Sequence, residues 1–432
     1  MIEVRCLHEL SDAQPWRAQL DALCAAAERP DPFSTFSFQE NFLARDEFRD
    51  QDRERQLWLV CAFEDGAPIG YLPLRRRVES VFGRRVRVLT QLAIHDSDRP
   101  QLVHRPGDGP RVRDAILGWL AARTGEWEML SLVQQDPASP LAEVARVPGC
   151  YVRQLPGRDN ATIRLRWPDL REFHASLSKK MRNNTRRALR ALLGASELTY
   201  LCTAHPGGAA QLLEAYRFVE SHAWKASANA GIARSEARLH YLRGLLEPGQ
   251  PMRLSISTLL LGGVPVGALI SSLYERRAFA LEICYDARLS SHGVGTAMLL
   301  MGVREAIARG AQSYNLMSSF SYYKRRWGAD IRPTVNVEIF RPFSTAFAKA
   351  MLGDLKRRVL TPTTGAADFN AARRGADEDE PAERGGELPP LASDEERARL
   401  SALVTSVRES GAEYLDAAAL RAAMPLSDAA HS

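Results

Sequence analysis

The residues best suited to hold an anion are Tyr285-Asp-Ala-Arg288-Leu-Ser-Ser291-His292-Gly293-Val294-Gly295-Thr296. They lie between an apolar run at 278–285 and a stretch in which Leu299, Val303, Ala306 and Ile307 share one helical face, so they read as a strand-to-helix loop. Glycines let the backbone approach a charged group closely, and amides at a helix start point toward it with the positive end of the dipole behind them. An ordinary strand-to-helix turn uses the same residue types, so the spacing alone leaves both readings open. Just upstream, Glu282 lies inside the apolar strand 279–285, where a carboxylate is costly unless it is paired or faces a solvated cleft. It is a candidate general base, the alternative being an ion pair with one of the chain's many arginines.

Other groups carry weaker signals. In residues 177–192, Leu177, Met181, Ala188 and Leu192 form an apolar stripe while Lys179, Arg182, Arg186 and Arg190 line another face. Such a basic amphipathic helix is usually a solvated one. Trp224-Lys225 closes a helix carrying Leu212, Leu213, Tyr216 and Val219, and either reaches an acceptor cleft or caps the core. His95-Asp96-Ser97-Asp98 has the Asp-x-Asp spacing of a metal site, but a turn is the better reading of it. The remaining histidines have no ligand-like spacing, so no metal is expected. No Ser-His-Asp arrangement is legible.

These groups need elements to position them, and the elements occur twice. Trp58 to Leu74 and Leu254 to Ile270 each contain an apolar strand, a turn with Gly-x-Pro-aliphatic-Gly (Gly66 to Gly70, Gly263 to Gly267), and a second apolar strand. Each hairpin is followed by a strand, a glycine-containing loop, a helix and another apolar strand. This matched order predicts an α/β fold of two tandem copies, each a mixed, mainly antiparallel sheet flanked by helices. The expected division is a first domain at 1–150, a second at 151–345, a flexible linker at 346–392 and a short helical tail at 393–432. The linker reading rests on the Pro, Gly, Ala and alternating charge of residues 361–392, and the tail on the capping box Ser393-Asp-Glu-Glu396 ahead of Leu400, Leu403, Val404 and Val407. That tail is expected to dock on its own protein or on a partner protein, or else to be a loose appendage.

Composition bounds the remainder. At 432 residues, with 45% hydrophobic and 25% charged, the chain is neither disordered nor fibrous, and it has room for two or three domains. Only six of its 57 basic residues are lysine, which fits a GC-rich genome or the use of arginine's fork for anions. The six cysteines are scattered without C-x-x-C spacing, as free thiols of a reducing compartment are. Residues 1–20 lack the apolar core of a signal peptide, and no run approaches about 18 uncharged apolar residues, so a cytoplasmic protein with no membrane span is expected.

The order of hairpin, strand, Ser-Ser-His-Gly293-Val-Gly295 loop, helix, strand and Tyr322-Tyr323-Lys324-Arg-Arg-Trp327-Gly328 resembles the Gcn5-related N-acetyltransferase (GNAT) superfamily. Most closely it resembles the branch containing the cellulose-biosynthesis protein CelD, and it is similar to the FemAB-type aminoacyltransferases. Three segments add to the likeness: Pro32-Phe-Ser-Thr-Phe-Ser-Phe-Gln39, Leu72-Pro-Leu-Arg-Arg-Arg77 and Leu177-Ser-Lys-Lys-Met-Arg182-Asn-Asn-Thr-Arg-Arg187. The resemblance spans about residues 30–340 and implies acetyl-CoA or another acyl-CoA as donor, its pyrophosphate on the backbone amides of 291–296. Ser290 stands where the superfamily has Gln or Arg, with Arg288 two residues upstream as a substitute charge. Tyr323 falls near the superfamily's tyrosine acid, with Tyr322 or Lys324 as alternatives. Lys179, Arg182, Arg186 and Arg190 then become candidates for the nucleotide part of CoA or a phosphorylated acceptor. The acceptor class implied is a small molecule, saccharide or peptide; tRNA enters only through the FemAB comparison, since no RNA-binding motif accompanies the helix. In the first copy the matching loop, Pro106-Gly-Asp108-Gly-Pro110, would repel a phosphate and lacks an amide, so the donor belongs to the second copy.

Overall fold

The computed structural model describes residues 1–45, 56–92, 101–223, 231–232, 235–318, 322–360 and 388–424. It divides into two compact units: 1–160 with 318–320 and 332–377, and 161–317 with 321–331 and 378–432.

In the first unit β1 (Glu3–Leu7), β2 (Gln56–Glu64), β3 (Ala67–Val81) and β4 (Arg84–Gln91) pair antiparallel in sequence order, with β5 (Val103–His104) added to β3. The helix Gly109–Ala121 then crosses over to β6 (Met129–Gln135), which runs parallel to β4. β7 (Tyr151–Pro156) ends the continuous part of the unit.

The second unit repeats the plan. Past β8 (Asn160–Arg164) come β9 (Leu198–Thr203), β10 (Arg253–Leu261), β11 (Val264–Tyr274) and β12 (Arg277–Tyr285), again antiparallel. The helix Val294–Ala308 leads to β13 (Ser313–Ser318), parallel to β12. β14 (Asp330–Arg332) closes this edge. The repeated Gly-x-Pro-aliphatic-Gly hairpins have one physical cause. Each contains a register slip beside its proline, and each second glycine lies beneath the crossover helix. A Cβ on Gly70 would come within 2.6 Å of Val112, and one on Gly267 within 2.7 Å of both Val294 and Met298. Glycine lets helix and sheet pack closely at the same point of both units.

The expected boundaries at 150 and 345 are not those of the structure, because the units trade strands. β15 (Val335–Phe340) returns to the first unit and inserts between β6 and β7, pairing Phe340 with Met129 on one side and Tyr151 on the other. In the second unit the corresponding place, between β13 and β14, is filled by β8, from the segment that precedes it in the chain. The stretch expected as linker at 346–392 also differs. Its first part belongs to the helix Thr345–Leu360, whose Ala346 and Ala350 are buried with Val81, Val86, Val88 and Phe340. Residues 361–387 lie outside the described residues.

The tail is part of the second unit. Ser393 caps the helix Asp394–Glu409 in the expected box, accepting from the Glu396 amide at 3.3 Å while Glu396 accepts from the Ser393 amide at 2.8 Å. Leu391, Leu400, Leu420 and Met424 join the core, and β16 (Glu413–Leu415) pairs with β9 to extend the sheet. Among the described residues no helix is long and apolar enough to cross a membrane.

Candidate donor site

The sheet of the second unit opens beside the loop at 286–293. β12 and β13 pair only over Arg277 with Ser313, Ala278 with Tyr314 and Phe279 with Asn315. Against β11, Ile270 faces Glu282 while Ser271 faces Ala280, so Leu281 is an extra, bulged residue. A bulge bends its strand, and here it falls where the parallel pairing stops. The carboxyl ends of two parallel strands that have parted form a natural ligand crevice, and the crossover helix starts at that end.

That helix start is fixed by glycine contacts. Gly293 has φ +72°, a left-handed conformation, and its Cβ position would be 2.6 Å from Cβ of Ala188. A Cβ on Gly295 would come within 2.9 Å of the Tyr285 ring. The amides of Val294, Gly295 and Thr296 occupy the first turn, where a helix offers no internal acceptor. No acidic residue lies in that turn and no side chain caps it. The helix therefore presents the positive end of its dipole uncompensated by its own side chains. His292 is buried, with Nδ1 3.2 Å from Ser291 Oγ.

The corresponding places in the first unit are filled from within. Past the last parallel pair of β4 and β6, Gln91 Oε1 accepts from the Val133 amide at 2.9 Å and from Gln135 Nε2 at 3.1 Å, bridging the gap with a side chain. At the start of Gly109–Ala121, the Asp108 carboxylate takes Arg105 at 2.5 Å and Arg111 at 2.6 Å, and Glu64 holds both arginines. Arg105 and Arg111 hold the Asp108 carboxyl below the usual carboxylate range.

Glu282 is paired rather than open. Arg238, from the helix Glu236–Leu245, places Nη2 3.4 Å from Glu282 Oε1, and the carboxylate side chain remains 23% exposed. Beside it, the Tyr216 hydroxyl donates to Glu220 Oε1 at 3.1 Å, and Glu220 also accepts from the Ile232 amide at 3.1 Å. Burial, then the neighbouring Cys284, Glu282 and Glu220, push the Tyr216 hydroxyl well above its ordinary range. Nothing in the sequence distinguishes Arg238 from the other arginines, and Glu220 looks like a surface helix residue.

Lys324 is buried, and its Nζ donates to the carbonyls of Leu316 at 2.8 Å and Met317 at 3.2 Å. It closes the end of β13, where Met317 has φ +64° and its amide donates to Asn315 Oδ1 at 2.8 Å. Tyr323 lies in the helix Tyr322–Arg326, but its side chain is outside the described residues, as are Trp224, Lys225 and the segment His95-Asp96-Ser97-Asp98.

Arg288 has a different employment from the one expected. Its guanidinium forks onto Asp286 and donates to the carbonyls of Pro390 at 2.9 Å and Leu391 at 3.0 Å, tying the tail to the loop. The basic helix also divides. Arg182 donates to the carbonyls of Ala175 at 3.0 Å and Leu177 at 2.6 Å, capping the preceding helix Leu170–Ser176. Lys179 is exposed at the helix start. Arg186 and Arg190, with Arg187, Asn183 and Ala191, line a surface recess of about 460 Å³. Of the lining residues only Ala191, three on from Ala188, shares the helix side that meets Gly293; Arg186 and Arg190 lie on the opposite side.

No curated protein sequence matches the chain. Residues 179–325 match the acetyltransferase (GNAT) domain family, about a third of the 432 residues. Among solved structures, FemX is similar with a TM-score of 0.53 at 9% identity, covering 78% of this chain and 96% of that one. The C-terminal domain of a putative lysylphosphatidylglycerol synthetase from Agrobacterium fabrum has a TM-score of 0.48 at 12% identity, covering 81% and 97%. A tandem GNAT protein from the clavulanic acid biosynthesis pathway has a TM-score of 0.45 at 15% identity, covering 78% and 98%. At these identities the likeness is one of fold. The matched segment contains the loop, its helix and β9 to β13, so residues 179–325 carry an acetyltransferase (GNAT) domain, and the chain is similar in fold to FemX.

Proposed function

We propose that the second unit transfers an acyl group directly from an acyl-CoA, such as acetyl-CoA, to an amine or hydroxyl of a sugar-derived or peptide-like acceptor. The observation that carries this reading is the contrast between the two helix starts. Neither start has a side-chain cap, but one has the Asp108 carboxylate at its N-cap position and Gln91 in its strand gap, while the other has Gly293 there and parted strands. The residues that suit a pyrophosphate are the amides of Val294, Gly295 and Thr296 in the first helical turn, which Gly293 and Gly295 seat against Ala188 and Tyr285. The recess of Arg186, Arg187 and Arg190 suits a further phosphate of the same donor.

In this scheme the acceptor attacks the thioester carbonyl, its proton passes to Glu282 directly or through one water, and the carbon–sulfur bond breaks as the thiolate takes a proton. Arg238 orients the Glu282 carboxylate. Tyr323 is the candidate acid, and the Lys324 ammonium places positive charge at the end of β13 where negative charge develops. Calorimetry with acetyl-CoA and longer acyl-CoAs tests the donor: binding is expected, and Gly295→Asp should abolish it. Failure of every acyl-CoA to bind the unaltered chain would refute the proposal. Glu282→Gln should lower turnover by about 10²-fold or more. The arginine recess also favours a second reading, transfer from aminoacyl-tRNA, which a strongly salt-dependent affinity for tRNA together with amino-acid transfer would select.

A further inference from the structure

The large hydrophobic side chains exposed among the described residues are Met1, Phe82, Tyr151, Phe343, Leu352 and Leu355. Met1 aside, all belong to one corner of the first unit. Phe82 is the tip of the turn joining β3 to β4, next to Val81. Tyr151 opens β7 opposite Phe340, and its ring meets Phe347 at 5.3 Å, which meets Phe343 at 6.3 Å. Leu352 and Leu355 are on the helix Thr345–Leu360, whose opposite face packs Ala346 and Ala350 onto Val81, Val86, Val88 and Phe340. Phe82 and Phe343 are 68% and 96% exposed and both have left-handed backbone, at φ 51° and 59°. That conformation disfavours bulky side chains, and nothing in the fold rewards leaving these two in water.

The same corner is cationic. Its turn carries Arg84, Arg85 and Arg87, and residues 341–355 add Arg341 and Lys349 against the single acid Asp354. Asp354 is already held by Arg153 at 3.0 Å. Aromatic and leucine side chains rimmed by lysine and arginine match the boundary of an anionic bilayer, where apolar groups enter the acyl region and cations meet phosphates. A second copy of the chain would bring one cationic surface against another. We infer that this corner, built from Phe82, Tyr151, Phe343, Leu352 and Leu355, docks the protein on an anionic lipid surface.

The test is co-flotation of the full chain with vesicles of phosphatidylcholine alone and of phosphatidylcholine with equimolar phosphatidylglycerol. Binding is expected to the anionic vesicles and to weaken as salt rises. The double variant Leu352→Ser, Leu355→Ser should bind about tenfold or more weakly, and Phe343→Ser should weaken it separately, with unchanged thermal unfolding because all three side chains are exposed. Absence of binding to anionic vesicles overturns the inference, and so does equal binding by the variants. A chain that self-associates through this corner, loses that association in the variants and ignores vesicles would assign the surface to a second copy instead.

Discussion

Replacing Gly293 by alanine probes how the donor loop is held, and the structure sets the size of the effect. Two penalties act at once. A Cβ in left-handed backbone costs about 1–2 kcal/mol, and the new methyl would be 2.6 Å from Cβ of Ala188, an overlap of atoms fixed to two packed elements that costs about 1–3 kcal/mol more. The sum is about 2–5 kcal/mol. Gly310, at the other end of the same helix, supplies the control: its φ is +74° and a Cβ there meets nothing within 4 Å, so Gly310→Ala should lose only the conformational part, about 1–2 kcal/mol. Equilibrium urea unfolding of both variants isolates the packing contribution as their difference. Adding Ala188→Gly to Gly293→Ala should remove the overlap while costing about 1 kcal/mol for a glycine inside a helix. Equal destabilisation by Gly293→Ala and Gly310→Ala would refute the claim that the loop is seated tightly on the basic helix.

Two further outcomes follow from buried polar contacts. His174 is buried with Nε2 2.7 Å from Thr185 Oγ1, and burial followed by the charge of Arg186 pushes its pKa from 6.5 down to about 4. The unfolded chain therefore takes up this proton first, so the stability due to neutral His174 is complete above about pH 6.5 and lost as pH falls through 4, about 3 kcal/mol in all. His174→Gln should flatten the acid side of the stability profile; an unchanged profile would remove the histidine from the account. Arg288→Ala should leave acyl-CoA affinity within about threefold and make residues 388–424 more sensitive to protease, because the guanidinium serves the Pro390 and Leu391 carbonyls. A tenfold loss of affinity with an undisturbed tail would restore Arg288 to the phosphate.

What was legible in the sequence was local. The paired hairpins, the loop with its glycines, the helix behind it and the capping box at Ser393 each depend on neighbours within a few residues, and each is present. The missed features depend on partners far along the chain. Val335–Phe340 alternates as any strand does, and nothing in its six residues says that its neighbours are β6 and β7. Arg288 reads as a phosphate ligand until its acceptors, about a hundred residues away, are seen. The helix Thr345–Leu360 escaped notice because its buried face is largely alanine, which contrasts weakly with the small residues of a linker. The ion pair of Glu282 was legible as an alternative, from the cost of a carboxylate in a strand, but its partner could not be chosen from sequence among so many arginines.

The traded strands have a consequence during synthesis. The first unit's sheet lacks its inner neighbour for β6 and β7 until residues 335–340 have been made, well after Pro156 has been translated. At ~5–20 residues per second this leaves a strand edge waiting for roughly 10–40 s on each ribosome. The nascent first half is thus obliged to stay open while the entire acetyltransferase segment emerges. A chain truncated anywhere before β15 carries an unfinished sheet, and a single cut ahead of β8 leaves the first unit without β15 while every strand of the second remains in the other piece.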